Sequence, residues 1–216
     1  MGIIKEAREK GLHFIGLCDH NSAENVAAVR KVGEKEGIGV IGGMEVTTQE
    51  EVHILALFDE DSKLESLQEI VYQNLHGTND QRLYGDQVVA NEKDEVVGFN
   101  KKLLIGATEL PIYEVVNLIH RLDGLAIASH IDREGFGIIG QLGFIPEDLP
   151  LDAVEMTDPL RQEAASLARG FPVIVSSDAH FLEEVGKRQT RFLLKEMTVD
   201  ELRRSFKREA GRRVLG

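Results

Sequence analysis

The chain has a single cysteine, Cys18, among 216 residues. One thiol cannot build an internal disulfide framework or a Cys-x-x-Cys metal site, so any metal must be held by imidazole and carboxylate groups. No apolar run approaches the roughly 20 residues that a membrane-spanning helix needs, and the first residues do not resemble a signal peptide. We therefore expect no membrane partner and take a cytoplasmic location as the default.

Basic residues are outnumbered, with 25 Lys and Arg against 37 Asp and Glu, and the net charge is −12. Phosphate backbones are held mainly by Lys and Arg, so this balance predicts that nucleic acid is an unlikely partner. A small phosphorylated substrate stays compatible with the charge, because metal ions can meet its phosphate locally. No P-loop, GxGxxG or GxSxG signature is present, and no organic cofactor site is predicted. The oligomeric state is not indicated.

Helix-like and strand-like segments alternate through most of the chain, which predicts one α/β domain over residues 1–216 with a mostly parallel sheet, either open or closed as a barrel. The pattern breaks at about 77–110. We interpret this stretch as an insertion, in which 87–91 and 95–99 can pair as a hairpin. The chain begins inside a helix with no strand before it, and we therefore expect that the first β/α unit is absent from this chain.

Histidine and carboxylate residues recur where predicted strands end or begin. In parallel α/β folds the carboxyl ends of the strands meet at one rim, where active sites are built. A His, Asp and Glu set without thiolate suits Zn²⁺, Mn²⁺ or Fe²⁺. Taken singly, each histidine is more simply a hydrogen-bonded loop residue, but together they predict a divalent-metal site similar to those of multinuclear hydrolases. The candidate residues are Asp19, His20, Glu45, His53, His130, Asp178 and His180.

Arg133 lies three residues after His130, in the loop beyond a predicted strand end. Its guanidinium could bind a phosphate or a carboxylate of the substrate. An ion pair with Asp132 or Glu134 explains the residue equally well. We keep Arg133 as a candidate catalytic residue with both interpretations open.

Five short segments, in this order along the chain, resemble motifs of the PHP (polymerase and histidinol phosphatase) family, and of its stand-alone metal-dependent phosphoesterases in particular. The final Ser-Ser-Asp-Ala-His run is the most specific of them. In the family the first segment usually reads Thr-Asp-His, where this chain has Cys18. The segments are Cys18-Asp19-His20-Asn21, Gly43-Met44-Glu45, Val52-His53, Ser129-His130 and Ser177-Asp178-Ala179-His180.

The resemblance implies a distorted seven-stranded β/α barrel, here lacking its first strand, with up to three metals at the rim. By position in the family's motifs, Glu45 would bridge two metals. His53 and His130 would bind one metal of that pair, and Asp178 the other. His20 and His180 would hold the third metal, and Asp19 would orient one of the metal-ligating side chains without binding a metal itself.

The activity implied by the resemblance is hydrolysis of a small phosphate ester, a monoester or a nucleotide, by a metal-activated hydroxide. Arg133 would steady a phosphoryl oxygen, and Asp178 could assist proton transfer. The family's opening His-x-His motif, which supplies ligands to the first metal, does not occur in this sequence. The alternative is therefore a metal-binding module of the same family with weak or no catalysis.

Overall fold

The computed structural model of the protein describes residues 2–157 and 164–215. Six strands form the main sheet in the order β1-β2-β3-β6-β7-β8, and two short hairpins, β4-β5 and β9-β10, stand beside it. The strands are β1 Phe14–His20, β2 Gly39–Thr47, β3 His53–Phe58, β4 Val88–Ala90, β5 Val96–Phe99, β6 Leu125–Ala128, β7 Ala153–Glu155, β8 Val173–Ile174, β9 Arg191–Leu193 and β10 Arg213–Leu215. The α-helices are α1 Gly2–Glu9, α2 Val26–Glu36, α3 Asp61–Asn74, α4 Gln81–Tyr84, α5 Ile112–Arg121, α6 Ile138–Leu142, α7 Ala164–Ala168 and α8 Val199–Phe206.

Five of the six strands in the main sheet run in the same direction. β1 pairs parallel with β2, and β6, β7 and β8 follow one another in parallel. β3 is antiparallel to both of its neighbours, β2 and β6. Because β3 is reversed, its first residue lies at the rim where the other strands have their last residues.

The two faces of the sheet carry different cores, since successive side chains on a strand point to opposite faces. One face, with Met44, Ile54 and Ala126, belongs to the larger core, which also includes buried residues of α2, α3 and α5. The other face, with Ile41 and Leu57, belongs to a smaller core that includes Val199, Leu202 and Phe206 of α8. Odd-numbered positions of β2 and β3 thus share the α8 face, which becomes important for the site.

A glycine makes the close spacing of the central strands possible. A Cβ built on Gly43 of β2 would come within 2.6 Å of Cys18 Sγ, 2.7 Å of the Ala56 carbonyl oxygen and 2.8 Å of a Leu57 methyl group. Real Cβ atoms do not approach other atoms so closely, so a larger residue would push the neighbouring strands β1 and β3 away. Cys18 of β1 packs beside this glycine as a small apolar residue.

The predicted α/β class is confirmed, while the strand count differs from that of a complete seven-stranded barrel. The main sheet has six strands, and within the described residues its edge strands β1 and β8 do not pair with each other. Hairpin β4-β5 forms within the stretch that was predicted as an insertion, with a register shift between Val89 and Ala90. The single-domain assignment stays a prediction. Along the described chain, no helix is both long and apolar enough to cross a membrane.

Several short segments were not predicted, because each is too short to show a period in the sequence. Helices α4 and α6 have four and five residues. Hairpin β9-β10 has three residues in each strand and packs Phe192 against Phe14, at the start of β1, and Phe206 of α8. This hairpin therefore lies near the end of β1 that is opposite His20.

Candidate metal centre

The register of the first three strands brings three candidate ligands to one rim. His20, the last residue of β1, pairs directly with Glu45 of β2. Thr47, two residues further along β2, pairs with His53, the first residue of the reversed strand β3. His53 is thus drawn to the rim because β3 runs antiparallel. The main chain fixes it there, since its amide donates to Phe136 and its carbonyl accepts from Ser129.

The Glu45 carboxylate lies among three imidazoles. Oε1 is 3.1 Å from Nδ1 of His53 and 3.5 Å from Nε2 of His130, and Oε2 is 3.4 Å from Nδ1 of His20. Glu45, His53 and His130 are all buried, with 4%, 6% and 2% of their surface exposed. One atom each from Glu45, His20 and His53 can be chosen so that all three lie within 4.8 Å of one another.

These buried polar atoms are close together but poorly satisfied. Within residues 2–157 and 164–215, no atom makes a hydrogen bond of good geometry to Glu45 Oε1, to Nδ1 of His20 or to Nδ1 of His53. A buried polar atom without a partner is costly, and native structures contain few of them. Lone pairs from imidazole and carboxylate that converge on one point suit a divalent cation, so the residues present fit a metal centre.

The electrostatics of the cluster favour an ionised Glu45 carboxylate and an unprotonated His20 imidazole. Burial by itself would raise the pKa of Glu45, but the neighbouring imidazoles of His130 and His53 hold the pKa well below its usual range. Burial also lowers the pKa of His20, against the opposing attraction of Glu45. A charged carboxylate and unprotonated imidazoles are the states in which these groups bind metals.

Asp178 and His180 approach the cluster from the loop that follows β8. The His180 ring lies 5.9 Å from the His20 ring, centre to centre, and its Nδ1 is 3.9 Å from Asp178 Oδ1. Asp178 Oδ2 is 2.7 Å from Nη1 of Arg133, so Arg133 forms its ion pair with a candidate ligand. All six predicted metal ligands and Arg133 therefore lie in one region.

Asp19 occupies a different position from the other candidates. It follows Cys18 on β1, and alternation along the strand points it to the face opposite His20. Its Oδ2 accepts a hydrogen bond from Nδ2 of Asn25, and burial raises its pKa. The proposed role of Asp19 behind a metal ligand stays a prediction.

Three residues at the site were missed by the sequence analysis. Glu155, the last residue of β7, is 2% exposed, accepts a hydrogen bond from Ser176 Oγ, and has its pKa raised by burial. Phe136 stacks on the His53 ring at 4.5 Å, and Asn21 is fully buried. A signal for Glu155 exists in the sequence, since this carboxylate follows the apolar pair Ala153-Val154. The loop position of Phe136 left no comparable signal.

Asn21 joins the rim to the inserted stretch. Its Nδ2 donates to the carbonyls of Leu104 and Gly106, both at 2.8 Å, and its Oδ1 accepts from the amide of Thr47 at 3.0 Å. These three bonds fix the strand ends beside His20. The amide side chain of Asn21 is therefore structural rather than a ligand.

The backbone is strained at several of these positions. Left-handed φ angles occur at non-glycine residues Asn21 (46°), His130 (28°), Phe136 (60°) and Asp178 (46°). Such residues cost about 1–3 kcal/mol each and are found mainly at functional sites. Four of the ten non-glycine residues with a positive φ angle in the described chain thus lie in the segments that carry the candidate ligands.

Comparison with known proteins gives a family match at the end of the chain. Residues 161–210 match the sequence model of a family described as PHP-associated. No curated protein is detectably similar to the chain.

Solved structures share the fold at low sequence identity. The lesion-specific endonuclease Q from Pyrococcus furiosus is 19% identical, with a TM-score of 0.70 over 99% of this chain and 52% of the endonuclease. The chain thus spans about half the length of that enzyme. A protein described as a metal-dependent phosphoesterase from Bifidobacterium adolescentis is 18% identical, with a TM-score of 0.56 over 94% of this chain and 88% of its own. An amidohydrolase from Chromobacterium violaceum is also 18% identical, with a TM-score of 0.55 over 87% and 84% of the two chains.

The expectation that nucleic acid is an unlikely partner is wrong. Endonuclease Q, which has this fold, is also known in complex with a 27-mer duplex that carries an abasic lesion at the active site. The expectation relied on the net charge of the whole chain. Nucleic-acid binding depends instead on the local charge where the strand lies, and bound cations add to that charge.

Proposed function

The PHP-associated segment and the shared fold support membership of the chain in the PHP-domain family, and from that premise we propose that it is a metal-dependent phosphoesterase. His20, Glu45, His53, His130, Asp178 and His180 would hold two or three divalent ions. The metals of choice are Zn²⁺, Mn²⁺ or Fe²⁺, because the donor set has nitrogen and oxygen but no sulfur.

The observation that carries the proposal is the Glu45 carboxylate, buried among three imidazoles whose nearest nitrogen atoms lie 3.1–3.5 Å away. A buried carboxylate that served only to stabilise the fold would be expected to have well-aligned hydrogen bonds. Glu45 Oε1 and the adjacent nitrogens of His20 and His53 do not have them within the described chain. A cation at this point would satisfy all of these atoms together.

When bound, divalent ions supply positive charge for the phosphoryl oxygens and lower the pKa of water. The chain's own residues supply the orientation. The Arg133 guanidinium is 43% exposed and is held by Asp178, so its free N–H groups can donate to a phosphoryl oxygen. Asp178 would hold the metal and receive a proton, and the stacked Phe136 ring keeps His53 in one orientation.

The test is hydrolysis of p-nitrophenyl phosphate and of bis-p-nitrophenyl phosphate by the purified chain with added Mn²⁺ or Zn²⁺. These two esters separate monoesterase from diesterase activity. We expect turnover that EDTA abolishes, and a loss of at least about 100-fold in kcat for His130→Gln and for Asp178→Asn, since each removes a predicted ligand.

His120→Gln is the matched control. His120 also pairs with a carboxylate, Nε2 to Asp152 Oδ2 at 2.9 Å, but it lies in the last turn of α5, away from the cluster. The control should keep its kcat. Equal kcat in His130→Gln, Asp178→Asn and wild type would exclude the proposed site, and metal binding without turnover of either ester would support the weakly catalytic module instead.

A further inference from the structure

A cleft of about 410 Å³ opens beside the candidate metal centre. Asp178 and His180 form the side nearest to the centre. A volume of this size is within the range of about 300–1,000 Å³ that is usual for small-molecule sites. The lining of the cleft also includes Arg133, Phe181, Glu184, Lys187 and Arg188.

The cleft is basic although the whole chain is acidic. Among the described residues its lining has three cations, Arg133, Lys187 and Arg188, and two carboxylates, Asp178 and Glu184. Asp178 is paired with Arg133, and Lys187 Nζ is 3.7 Å from Glu184 Oε1. The Lys187 pair is long and exposed, and pairs of this kind contribute little and exchange readily. Lys187 and Arg188 can therefore both turn to an anion.

Phe181 stands at the same cleft with its side chain exposed to solvent. The residue is 67% exposed, which is unusual for a phenylalanine. Its backbone is fixed, because Glu184 Oε2 accepts hydrogen bonds from the amides of both His180 and Phe181. The ring is thus presented to solvent by an anchored loop, next to two cations.

We propose that Phe181, Lys187 and Arg188 bind the part of a nucleic-acid strand that flanks the reacting phosphate. Lys187 and Arg188 would neutralise one neighbouring phosphate, and a base would stack on Phe181. Exposed aromatic rings beside a basic groove are the usual arrangement for binding single strands. The inference rests on the proposed function for the place of the reacting phosphate.

A small monoester would leave this cleft largely unused. Its single phosphate would be met at the metal centre and by Arg133, and Lys187 and Arg188 would have no second anion to bind. A strand has a phosphate and a base at every step, which matches two cations next to one ring. The cleft therefore favours an oligonucleotide over a small ester.

The experiment measures binding separately from turnover. Fluorescence anisotropy with a labelled single-stranded 12-mer DNA gives the affinity of the full chain, both loaded with Mn²⁺ and after EDTA. Lys187→Gln/Arg188→Gln should lower the slope of log K against log salt by about 0.7, the value for one phosphate of a single strand. If the wild type and this variant bind equally at 1 M salt, the difference in slope makes the variant bind about 8-fold more weakly than the wild type at 50 mM salt. Phe181→Leu keeps an apolar side chain but removes the ring, and should weaken binding about 5-fold or more.

The matched control, Lys31→Gln/Lys35→Gln, removes the same charge from exposed positions of α2. Lys31 Nζ lies 3.8 Å from Glu92 Oε2, Lys35 is in the last turn of α2, and neither residue lines the cleft. This variant should keep the wild-type affinity and salt slope. The same affinity in wild type, both cleft variants and the control would overturn the inference, as would binding that falls equally in cleft and control variants.

Turnover then separates this inference from the proposed function. If the wild type hydrolyses neither p-nitrophenyl ester while the cleft variants still weaken DNA binding, the phosphoesterase proposal fails and the strand-binding cleft stands. If the esters are hydrolysed but the cleft variants bind DNA like the control, the cleft inference fails alone. If both the phosphoesterase proposal and the cleft inference hold, the ratio of kcat/KM for the 12-mer to kcat/KM for p-nitrophenyl phosphate should fall in the cleft variants.

Discussion

Removal of the central carboxylate should abolish stabilisation of the protein by metal. Glu45→Gln keeps the size of the side chain but removes the charge that lies 3.1–3.5 Å from three imidazoles. If these groups bind a divalent ion in the folded chain and not in the unfolded chain, added metal stabilises the fold by linkage. The variant should lose this added stability.

The magnitude follows from the size of the chain. At a free metal concentration 100 times Kd, one site adds about 2.7 kcal/mol to the free energy of unfolding. For a domain of 150–250 residues, 1 kcal/mol shifts Tm by about 2–4 °C, so metal should raise Tm by about 5–11 °C. In Glu45→Gln the shift should be less than about 2 °C, because the ligand that the three imidazoles share is neutral.

The assay is thermal unfolding followed by circular dichroism, with Zn²⁺ or Mn²⁺ titrated into EDTA-treated protein, together with elemental analysis. His20→Gln is a second variant at the rim, where the side chain is 28% exposed and its replacement disturbs little packing. His120→Gln should change the baseline Tm but keep the metal-induced shift. An equal shift in wild type and Glu45→Gln would refute the reasoning, since the metal would then bind elsewhere.

Three further predictions concern stability. Asn21→Ala should lower the free energy of unfolding by about 3 kcal/mol in urea titrations, because three hydrogen bonds are lost and the buried backbone N–H of Thr47 is left without an acceptor. An unchanged free energy of unfolding would contradict the structural role of Asn21. Gly43→Ala should cost about 1–3 kcal/mol by overpacking, whereas Gly98→Ala, where no atom of the described residues lies within 4 Å of the new Cβ, should cost much less. The Arg212 guanidinium lowers the pKa of the Glu201 carboxyl below its usual 4.5. A depressed folded-state pKa adds stability above pH 4.5 that is lost as pH falls through the folded-state value. The free energy of unfolding of Glu201→Gln should therefore change less steeply with pH below 4.5 than that of the wild type. Parallel curves for the two proteins would show that the Glu201–Arg212 pair is unimportant.

Much of the site could be predicted because topology alone gathers strand ends. His20, Glu45 and His130 follow apolar runs, and the carboxyl ends of parallel strands meet at one rim whatever the details of packing. The position of His53 needed one more fact, the reversed direction of β3, which depends on pairing between strands and leaves no trace in the order of residues.

Other features escaped prediction for the opposite reason, since they depend on loops. Arg133 has two acidic neighbours in sequence, yet its ion pair is with Asp178, 45 residues away. The Phe136 ring lies on His53 because the loop after β6 folds back with a left-handed φ angle, which aromatic residues seldom adopt. The error about nucleic acid has the same origin, because Lys187 and Arg188 form a local basic cleft that a sum over the chain conceals.

Several energetically unfavourable groups of the sheet lie at its rim, which indicates that ligand binding rather than folding determined these residues. Odd-numbered positions of β2 and β3 carry Ile41 and Leu57 in the α8 core, and the same faces carry Glu45 and His53 at the rim. Apolar residues would have extended that core without loss of hydrogen bonds. The chain instead has an ionised carboxylate, unaligned imidazoles and a left-handed His130 in a position where each of them is costly. Such costs persist when a ligand bound in the folded state offsets them, and a divalent cation is the ligand that these donors have in common.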